Sequence, residues 1–300
     1  MKKLGVVIVT YNRINLLQEC VDHVLEQTVP FNSIIIVDNN SNDGTSNYLN
    51  SLSNNKKIHI ISLKENLGGS GGFYKGMEYA LSLNLDWLLL IDDDAIIDID
   101  FNEKIPFHED NSIKAYSGTV IKNGSIDYNH RRILKNINKF KEENVSEELY
   151  EKDFFDYNLA TFCGLYVSID LIKIIGLPIK EFFIWYDDTE YSLRLMQYTK
   201  IRNINMAKLN HKCGFGQTQV TFSWKDYYGR RNKLFIIKKY YNRKQLYIYM
   251  LWMCIAITKH YLIYIFSKDN FAKYKAHLTK DAMLDGIHNR LGKNQEYLPN

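Results

Sequence analysis

The stretch Trp87-Leu88-Leu89-Leu90-Ile91-Asp92-Asp93-Asp94 joins a short apolar run to three consecutive carboxylates. A continuous apolar run bounded by charge is typical of a strand buried on both faces of a parallel sheet. Adjacent carboxylates repel one another and are costly to bury, unless a divalent cation lies among them. Open α/β sheets bind ligands at the carboxyl ends of their strands. The triplet therefore predicts a Mg²⁺ or Mn²⁺ site at this edge, with a solvated acidic turn as the alternative.

The chain before this stretch alternates between strand and helix patterns. β-branched strand segments lie at 5–10, 33–37 and 58–63, and helical patterns lie at 16–25, 45–52 and 73–81. This alternation predicts right-handed parallel units, and therefore an α/β fold with a mixed, mostly parallel sheet and helices on both faces. After Asp94 the rhythm breaks, with strand-like runs at 115–121, 159–167 and 203–209, a helix at 189–197 and a polar surface excursion at 135–153.

The last part of the chain differs from the rest in charge. Residues 225–300 carry 15 Lys and Arg against five Asp and Glu, a net of +10, whereas the remainder has a net of −6, which gives +4 for the whole. The segment is also helical and rich in tyrosine. We therefore predict two domains, 1–224 and a basic helical extension at 225–300, and an anionic partner for the extension.

The extension contains the longest apolar run, twelve residues from Leu246 to Ile257, which is shorter than the eighteen or so that a membrane span needs. Basic residues flank it, and Tyr and Trp beside basic residues favour a membrane interface. The alternative is a buried helix in an α-helical subdomain or a dimer interface. The four cysteines, Cys20, Cys163, Cys213 and Cys254, show no metal or disulfide spacing. With no signal peptide at the N-terminus, this predicts a cytoplasmic protein.

Polar segments follow the other predicted strands. Thr10-Tyr11-Asn12-Arg13 follows the first strand, and Asp38 ends the second. A carboxylate there can accept the N3–H of uracil or thymine, although Asp38 could equally cap the next helix. Asn66-Leu67-Gly68-Gly69-Ser70-Gly71-Gly72 follows the third strand and opens a helix, where free N–H groups favour an anion and Lys75 could add a charge.

A second acidic cluster, Trp185-Tyr186-Asp187-Asp188, precedes a helix. Aromatic rings beside carboxylates fit a sugar platform with a general base, because low polarity raises a carboxylate pKa. An N-cap is the alternative, and both roles can coexist. His211 follows an extended segment and could complete a carboxylate metal shell, although a single histidine is normally structural.

Taken in order, these segments make the chain resemble the family 2 inverting glycosyltransferases, which have the Rossmann-like GT-A fold. The motifs that carry the resemblance are 9–13, 37–45, Asp92-Asp93-Asp94, and Asp187-Asp188 before a helix containing Arg194. The segments 66–73 and 185–191 look most like the galactofuranosyltransferase branch, with the rhamnosyltransferase branch close by. A shorter basic tail replaces the extended C-terminal domain of the polymerising enzymes, so processivity does not carry over.

The resemblance implies a role for each matching residue. Asp92, Asp94 and His211 would hold Mn²⁺ or Mg²⁺, and Asp188 would be the catalytic base. The nucleotide-sugar donor would lie against Asp93 and the loops that follow the first three strands, at Thr10, Tyr11, Asn12, Arg13, Asp38, Asn66, Gly68, Gly69 and Lys75. The acceptor would lie against Trp185, Tyr186, Asp187, Cys163 and Gly164.

These roles predict an inverting transfer of galactofuranose from UDP-galactofuranose to a glycan hydroxyl, with dTDP-rhamnose as the alternative donor. The acceptor is expected to be a lipid-linked intermediate of bacterial cell-surface polysaccharide synthesis. The enzyme would be peripheral at the inner face of the plasma membrane, and a homo-oligomer is possible. A non-catalytic nucleotide-sugar-binding scaffold is a different class, which the intact acidic clusters oppose. We expect no nucleic-acid partner, because no nucleic-acid-binding motif is present.

Overall fold

The computed structural model describes residues 2–108, 110–136, 139–212 and 222–298. Its strands are β1 Leu4–Thr10, β2 Ser33–Asp38, β3 Ile58–Ser62, β4 Trp87–Asp92, β5 Ala95–Ile97, β6 Ala115–Lys122, β7 Ser125–Ile126, β8 Arg131–Asn136, β9 Lys141–Asn144, β10 Phe154–Tyr157, β11 Leu159–Ala160, β12 Leu165–Ser168 and β13 Ile201–His211. Its α-helices are α1 Ile14–Leu25, α2 Thr45–Ser51, α3 Gly68–Ala80, α4 Phe101–Lys104, α5 Ile169–Ile175, α6 Asp187–Leu195, α7 Lys225–Tyr240, α8 Arg243–Ser267 and α9 Asn270–Ile287.

One ten-stranded mixed sheet organises the first part of the chain. Its main order is β10-β13-β6-β12-β4-β1-β2-β3, with β5 paired to β13 and β7 paired to β6. Strands β1 to β4 are mutually parallel where they pair, and β13 is parallel to β6. Strand β12 inserts antiparallel between β4 and β6. The predicted mixed, mostly parallel α/β sheet is therefore confirmed.

The two faces of this sheet bury different helices, because side chains alternate along each strand. On one face, α1 packs through Leu17, Cys20, Val21 and Val24 against Val6, Ile8, Ile34 and Ile36. On the other face, α3 packs through Phe73, Met77 and Ala80 against Val7, Val9, Ile35 and Val37. Each strand is thus covered on both sides, which is why its sequence reads as a continuous apolar run.

Part of the polar stretch at 135–153, predicted as a surface excursion, forms regular structure. A three-stranded sheet has the order β11-β8-β9, with Leu159 opposite Arg132 and Ala160 opposite Arg131. Arg131 is fully buried, and its guanidinium donates to the carbonyl oxygens of Gly118 and Cys163. The polar composition gave no signal for these strands, because they lack the apolar alternation that marks a half-buried strand.

The chain divides into two compact units. The first comprises Met1–Ile133, Glu142–Ile179 and Asp188–Gly216, and the second comprises Leu134–Lys141, Lys180–Asp187 and Gln217–Asn300. The second unit thus includes residues 134–141, 180–187 and 217–224, which the predicted division at 224 places in the first domain. A functional division into 1–224 and 225–300 stays a prediction.

Three helices, α7 to α9, make up most of the second unit. Its own apolar core contains Phe183, Tyr227, Tyr228, Leu234, Met253, Leu278, Ala282 and Tyr297. The apolar run predicted as twelve residues is part of α8, which has 25 residues and buries only Met253. In the described part of the chain, α8 is the one helix whose length and composition would let it cross a membrane. The expectation that nothing here is long enough was wrong, because it counted only uninterrupted apolar residues and stopped before Lys259.

Candidate active site

The carboxyl ends of β1, β2 and β4 lie side by side at one edge of the sheet. Thr10 is in register with Asp38, and Val9 is in register with Asp92. Parallel pairing brings these strand ends to the same level, so polar residues that are remote in the chain meet there. The predicted ligand-binding edge thus brings Thr10, Asp38 and the aspartate triplet together.

Asp93 is held by the first strand and the turn that follows it. Its carboxylate accepts a hydrogen bond from Thr10 Oγ1 at 2.6 Å and one from Arg13 Nη1 at 3.2 Å. Burial raises the pKa of Asp93 to about 6, although Arg13 and Thr10 oppose the shift. Asp93 therefore lies inside the site as a buried, hydrogen-bonded group, and Thr10 and Arg13 contact it directly.

Asp94 is paired with two basic side chains. Arg13 Nη1 lies 2.6 Å from its Oδ2, and His211 Nε2 lies 3.4 Å from its Oδ1. Burial alone would raise the pKa of Asp94, but His211 and Arg13 outweigh it, and the net pKa is lowered. Asp94 therefore stays ionised, as a metal ligand must.

The position of His211 follows from strand pairing. β5 begins directly after the aspartate triplet and runs antiparallel to the end of β13, which places His211 opposite Ala95. The backbone N–H of Lys212 also donates to the carbonyl oxygen of Asp94 at 2.8 Å. Strand patterns alone could not place His211 beside Asp94, since this pairing joins segments more than a hundred residues apart.

The residues of this edge fit a divalent cation. Asp94 Oδ1 is buried and accepts no hydrogen bond from any described residue, although it faces His211. An ionised, buried oxygen that has only a distant imidazole beside it is poorly stabilised, and a cation would satisfy it. Asp92, at the end of β4, supplies a further carboxylate. Carboxylate oxygens with one imidazole form a donor set that suits Mn²⁺ or Mg²⁺.

The turns that follow β1 and β2 are joined to each other by hydrogen bonds. Asn12, at a positive φ of 53°, donates from its backbone N–H to Ser41 Oγ and accepts from the N–H of Asn42. Asp38 is buried and accepts from the N–H of Ser41. Asp43, not Asp38, contacts the start of α2, through the N–H and hydroxyl of Thr45. The capping alternative for Asp38 is therefore wrong. Tyr11, in the turn after β1, is partly exposed.

The glycine run opens a helix, as the sequence predicted, although the helix begins at Gly68 and not near Phe73. Gly68 has a positive φ of 72°, and its N–H donates to Asn66 Oδ1, but the run from Gly68 onward is already helix α3. A Cβ on Gly76 would lie 2.3 Å from Val7 Cγ1, whereas one on Gly69 would meet nothing within 4 Å. Glycines on the sheet side thus permit close helix packing. Lys75 pairs with Glu78 on the helix surface instead of pointing along the helix start.

Cys163 lies beside His211, one of the predicted metal ligands, and Gly164 follows it in the turn before β12. Gly164 has a positive φ of 81°, and a Cβ there would lie 2.5 Å from Leu209 Cδ2. Cys163 is buried, and its Sγ lies near the imidazoles of His130 and His211. Burial lowers the pKa of His130 to about 4, although Asp127 opposes this, so the ring is neutral at pH 7. His130 was not predicted from the sequence, where nothing distinguishes it from a surface histidine.

Asp188 lies in the first turn of α6 and is half-buried. Its Oδ1 accepts from the N–H of Thr189 at 2.5 Å and from Thr189 Oγ1 at 3.1 Å. Arg132 Nη2 donates to the same Thr189 hydroxyl at 3.0 Å, and Arg132 also pairs with Glu142. Burial raises the pKa of Asp188, while Arg132 and the Thr189 hydrogen bonds lower it less. The carboxylate is thus fixed in direction and shifted towards the pKa of a general base.

The segment before α6 is held by side chains of α7, all within the second unit. Phe183, Trp185 and Tyr186 have φ values of 67°, 64° and 68°, which are uncommon for residues with a side chain. Asn232 Nδ2 donates to the carbonyl oxygens of Phe182, Ile184 and Trp185. Trp185 is 40% exposed and packs on Gly229, while Asp187 begins α6.

Sequence reasoning did not find these α7 residues, which include Asn232 and the buried Arg231. Arg231 donates to the carbonyl oxygens of Glu181 and Phe182. The available signal was an Arg-Asn pair at apolar positions of a helix, where a buried polar group needs a partner.

Comparisons with known proteins identify the family and the fold. The model of the family described as "Glycosyl transferase family 2" matches residues 5–167, more than half of the chain. The dTDP-rhamnosyl transferase RfbF of Shigella flexneri is 26% identical over 298 residues, covering 95% of this chain and 96% of its own. The galactofuranosyltransferase GlfT1 of Mycolicibacterium smegmatis is 40% identical over 91 residues, covering 30% of this chain and 29% of its own.

Two solved structures share the fold. GalNAc-T7 with UDP, GalNAc and Mn²⁺ has a TM-score of 0.66 at 14% identity, over 96% of this chain and 56% of its own. Staphylococcus aureus TarS 1-349 in complex with UDP has a TM-score of 0.55 at 14% identity, over 78% of this chain and 65% of its own. With the family match across the strand edge that holds Thr10, Asp38 and the aspartates, the chain belongs to glycosyltransferase family 2 and is a nucleotide-sugar glycosyltransferase with a GT-A fold.

Proposed function

We propose that this protein is a metal-dependent inverting glycosyltransferase that moves a sugar from a pyrimidine nucleoside diphosphate to a hydroxyl of a glycan acceptor. The observation that carries the proposal is the pair of carboxylate environments in the first unit. Asp94 is held ionised by Arg13 and His211 at the sheet edge, whereas burial raises the pKa of Asp188 at the start of α6. The surroundings of Asp94 suit a carboxylate that binds a cation, and those of Asp188 suit a carboxylate that accepts a proton.

The donor would bind across the carboxyl edge of the sheet. Asp38 would accept the N3–H of the pyrimidine, and Thr10 would lie beside the nucleoside. Asp92, Asp94 and His211 would hold Mn²⁺ or Mg²⁺. When bound there, the ion would offset the negative charge that develops on the leaving diphosphate.

Asp188 would act as the general base. The two hydrogen bonds that Asp188 accepts from Thr189 both reach Oδ1. Its Oδ2 would therefore take the proton of the acceptor hydroxyl. As that proton moves to Asp188, the hydroxyl oxygen bonds to the anomeric carbon, and the bond from this carbon to the diphosphate oxygen breaks. A single displacement from the opposite face inverts the configuration. Trp185 and Tyr186 stay predicted acceptor contacts.

The comparisons change the order of the two donors that the sequence favoured. The similarity to RfbF extends over nearly the whole chain and includes the helical extension, whereas the similarity to GlfT1 covers 30% of it. We therefore place dTDP-rhamnose first. UDP-galactofuranose stays the second candidate, because the local identity to GlfT1 is higher.

The acceptor is proposed to be lipid-linked and reached at an anionic membrane surface, from the inner face of the plasma membrane. Support comes from the net charge of +10 over residues 225–300 and from the exposed apolar side chains of α8. These side chains are Tyr247, Ile248, Leu251, Trp252, Ile255, Leu262, Ile265 and Phe266. Flotation with anionic and neutral liposomes at low salt tests this part, and equal recovery in both would contradict it.

A donor panel tests the activity itself. We expect dTDP-rhamnose to be hydrolysed or transferred faster than UDP-galactofuranose in the presence of Mn²⁺. EDTA should stop the reaction, and added Mn²⁺ or Mg²⁺ should restore it. A rate that is unchanged by EDTA would contradict the metal site, and the faster donor decides between the two sugars.

A further inference from the structure

Three side chains that favour a softer metal meet next to the oxygen-rich edge. One nitrogen each of His130 and His211 and the Sγ of Cys163 lie within 4.8 Å of one another. They come from the end of a one-turn 3₁₀ helix at Tyr128–His130, from the turn before β12 and from the end of β13. All three belong to the first unit. Two imidazoles and a thiolate form a three-ligand set that binds Zn²⁺ with an open fourth position.

We propose that His130, Cys163 and His211 form a binding site for a thiolate-favouring divalent cation such as Zn²⁺ or Co²⁺. The ligand atoms of a closed tetrahedral zinc site lie about 3.4–3.7 Å apart. Closing the site therefore needs side-chain shifts of about 1 Å from the observed spacing. Each ring nitrogen of His130 has a neighbour, Thr161 Oγ1 at 2.8 Å from Nδ1 and Asp127 Oδ2 at 3.5 Å from Nε2. The nitrogen that does not bind the ion is thus held in place, as metal-binding histidines usually are.

The ion would compete with Mn²⁺ or Mg²⁺ for His211. A neutral imidazole offers one lone pair, so His211 can bind only one of the two ions at a time, the one among the aspartates or the one beside His130 and Cys163. Zinc stands above manganese in the affinity order for nitrogen and sulfur donors. Zinc is therefore expected to inhibit transfer. This competition rests on the proposed function, whereas the binding of the ion does not.

Titration with Co²⁺ alone tests the binding. A tetrahedral cobalt–thiolate site gives a thiolate-to-cobalt charge-transfer absorption, which should appear in the wild-type protein and vanish in Cys163→Ser. Cys254→Ser, which removes an exposed thiol on α8, is the matched control and should keep the band. Melting temperatures show whether each variant folds. A band that survives in folded Cys163→Ser, or that no protein shows, would overturn the proposal.

Two further measurements separate this proposal from the function. Asp92→Asn should keep the cobalt–thiolate band while it loses the response of transfer to Mn²⁺. The zinc concentration that halves the transfer rate, measured relative to each protein's own rate without zinc, should be at least about tenfold higher for His130→Gln than for the wild type. Loss of a metal ligand has an effect of this size. An unchanged zinc response in folded His130→Gln would contradict the competition. Should no donor be turned over, the cobalt spectra still decide whether the site exists.

Discussion

The end of β4 and the start of α6 both bury a carboxylate, and the two surroundings act in opposite directions. At the end of β4, Arg13 and His211 lower the pKa of Asp94, although burial alone would raise it. At the start of α6, burial dominates and the pKa of Asp188 is raised, because Arg132 is shared with Glu142 and Thr189. The number and direction of the paired cations, and not burial itself, therefore decide whether a buried aspartate is a lasting charge or a proton acceptor.

The largest effect should come from Asp188. Asp188→Asn removes proton acceptance at almost constant shape, so we expect kcat to fall about 1,000-fold, within the range of general-base catalysis. Donor affinity should stay nearly unchanged, and added Mn²⁺ should not restore the rate. Steady-state kinetics and a nucleotide-binding titration measure both. A rate within about tenfold of wild type, or about 1.4 kcal/mol, would show that Asp188 is not the base.

Asp94→Asn should have a smaller effect of a different kind. Removing a ligand charge weakens stabilisation of the leaving diphosphate, and we expect transfer to fall about 100-fold at a fixed Mn²⁺ concentration, or about 2.7 kcal/mol. Raising the Mn²⁺ concentration should recover part of the rate. A loss that does not depend on Mn²⁺ would remove the distinction between the two carboxylates.

The sheet edge also depends on how closely α3 packs on β1. Gly76→Ala places a Cβ 2.3 Å from Val7 Cγ1, and we expect it to lower the free energy of unfolding by about 1–3 kcal/mol. Gly69→Ala is the matched control, since its Cβ meets nothing within 4 Å, and it should be neutral or stabilising by up to about 1 kcal/mol. Urea unfolding of both variants tests this. Equal losses in the two would contradict the close packing.

The smallest effect is a shift of the pH profile. Asp188 accepts a proton only when ionised, so activity is lost as the pH falls through its pKa. Arg132 lowers that pKa, and Glu142 raises it. Arg132→Met should therefore move the acidic limb of kcat to higher pH, and Glu142→Gln should move it to lower pH. Shifts in the same direction in both variants would show that loss of the pair acts through structure and not through charge.

The sequence predicted those parts of the site that lie at the ends of consecutive strands. The apolar runs before Thr10, Asp38 and Asp92 fix parallel strands, and parallel register brings their ends together without any further information. His211 could not be placed in this way, because its neighbour Asp94 is set by the antiparallel pairing of β5 with β13. Local pattern placed Asp187 and Asp188 just before a helix, and the structure includes both in the first turn of α6.

The parts of the site that the sequence did not predict depend on contacts between a side chain and groups that are distant in the chain. Arg131 donates to the carbonyl of Cys163 but is an ordinary basic residue in the sequence, and Arg13, which was predicted at the donor, pairs with the aspartates. The glycine run was predicted to open a helix, but the apolar residues at helical spacing begin only at Phe73, so the sequence did not place the first helical residue at Gly68. Its helical form is selected by Val7 and Val9, against which Gly72 and Gly76 pack.

The left-handed backbone around Trp185 has a consequence for swapping parts between related enzymes. Its geometry is imposed by Asn232 and Arg231, some fifty positions further along, through carbonyl groups that any sequence would present. In a chimera that takes residues 180–187 from one parent and α7 from another, the α7 side chains would not match the loop whose backbone they hold. Exchanges should therefore transplant both pieces as a pair, even though the family match ends at residue 167 and contains neither.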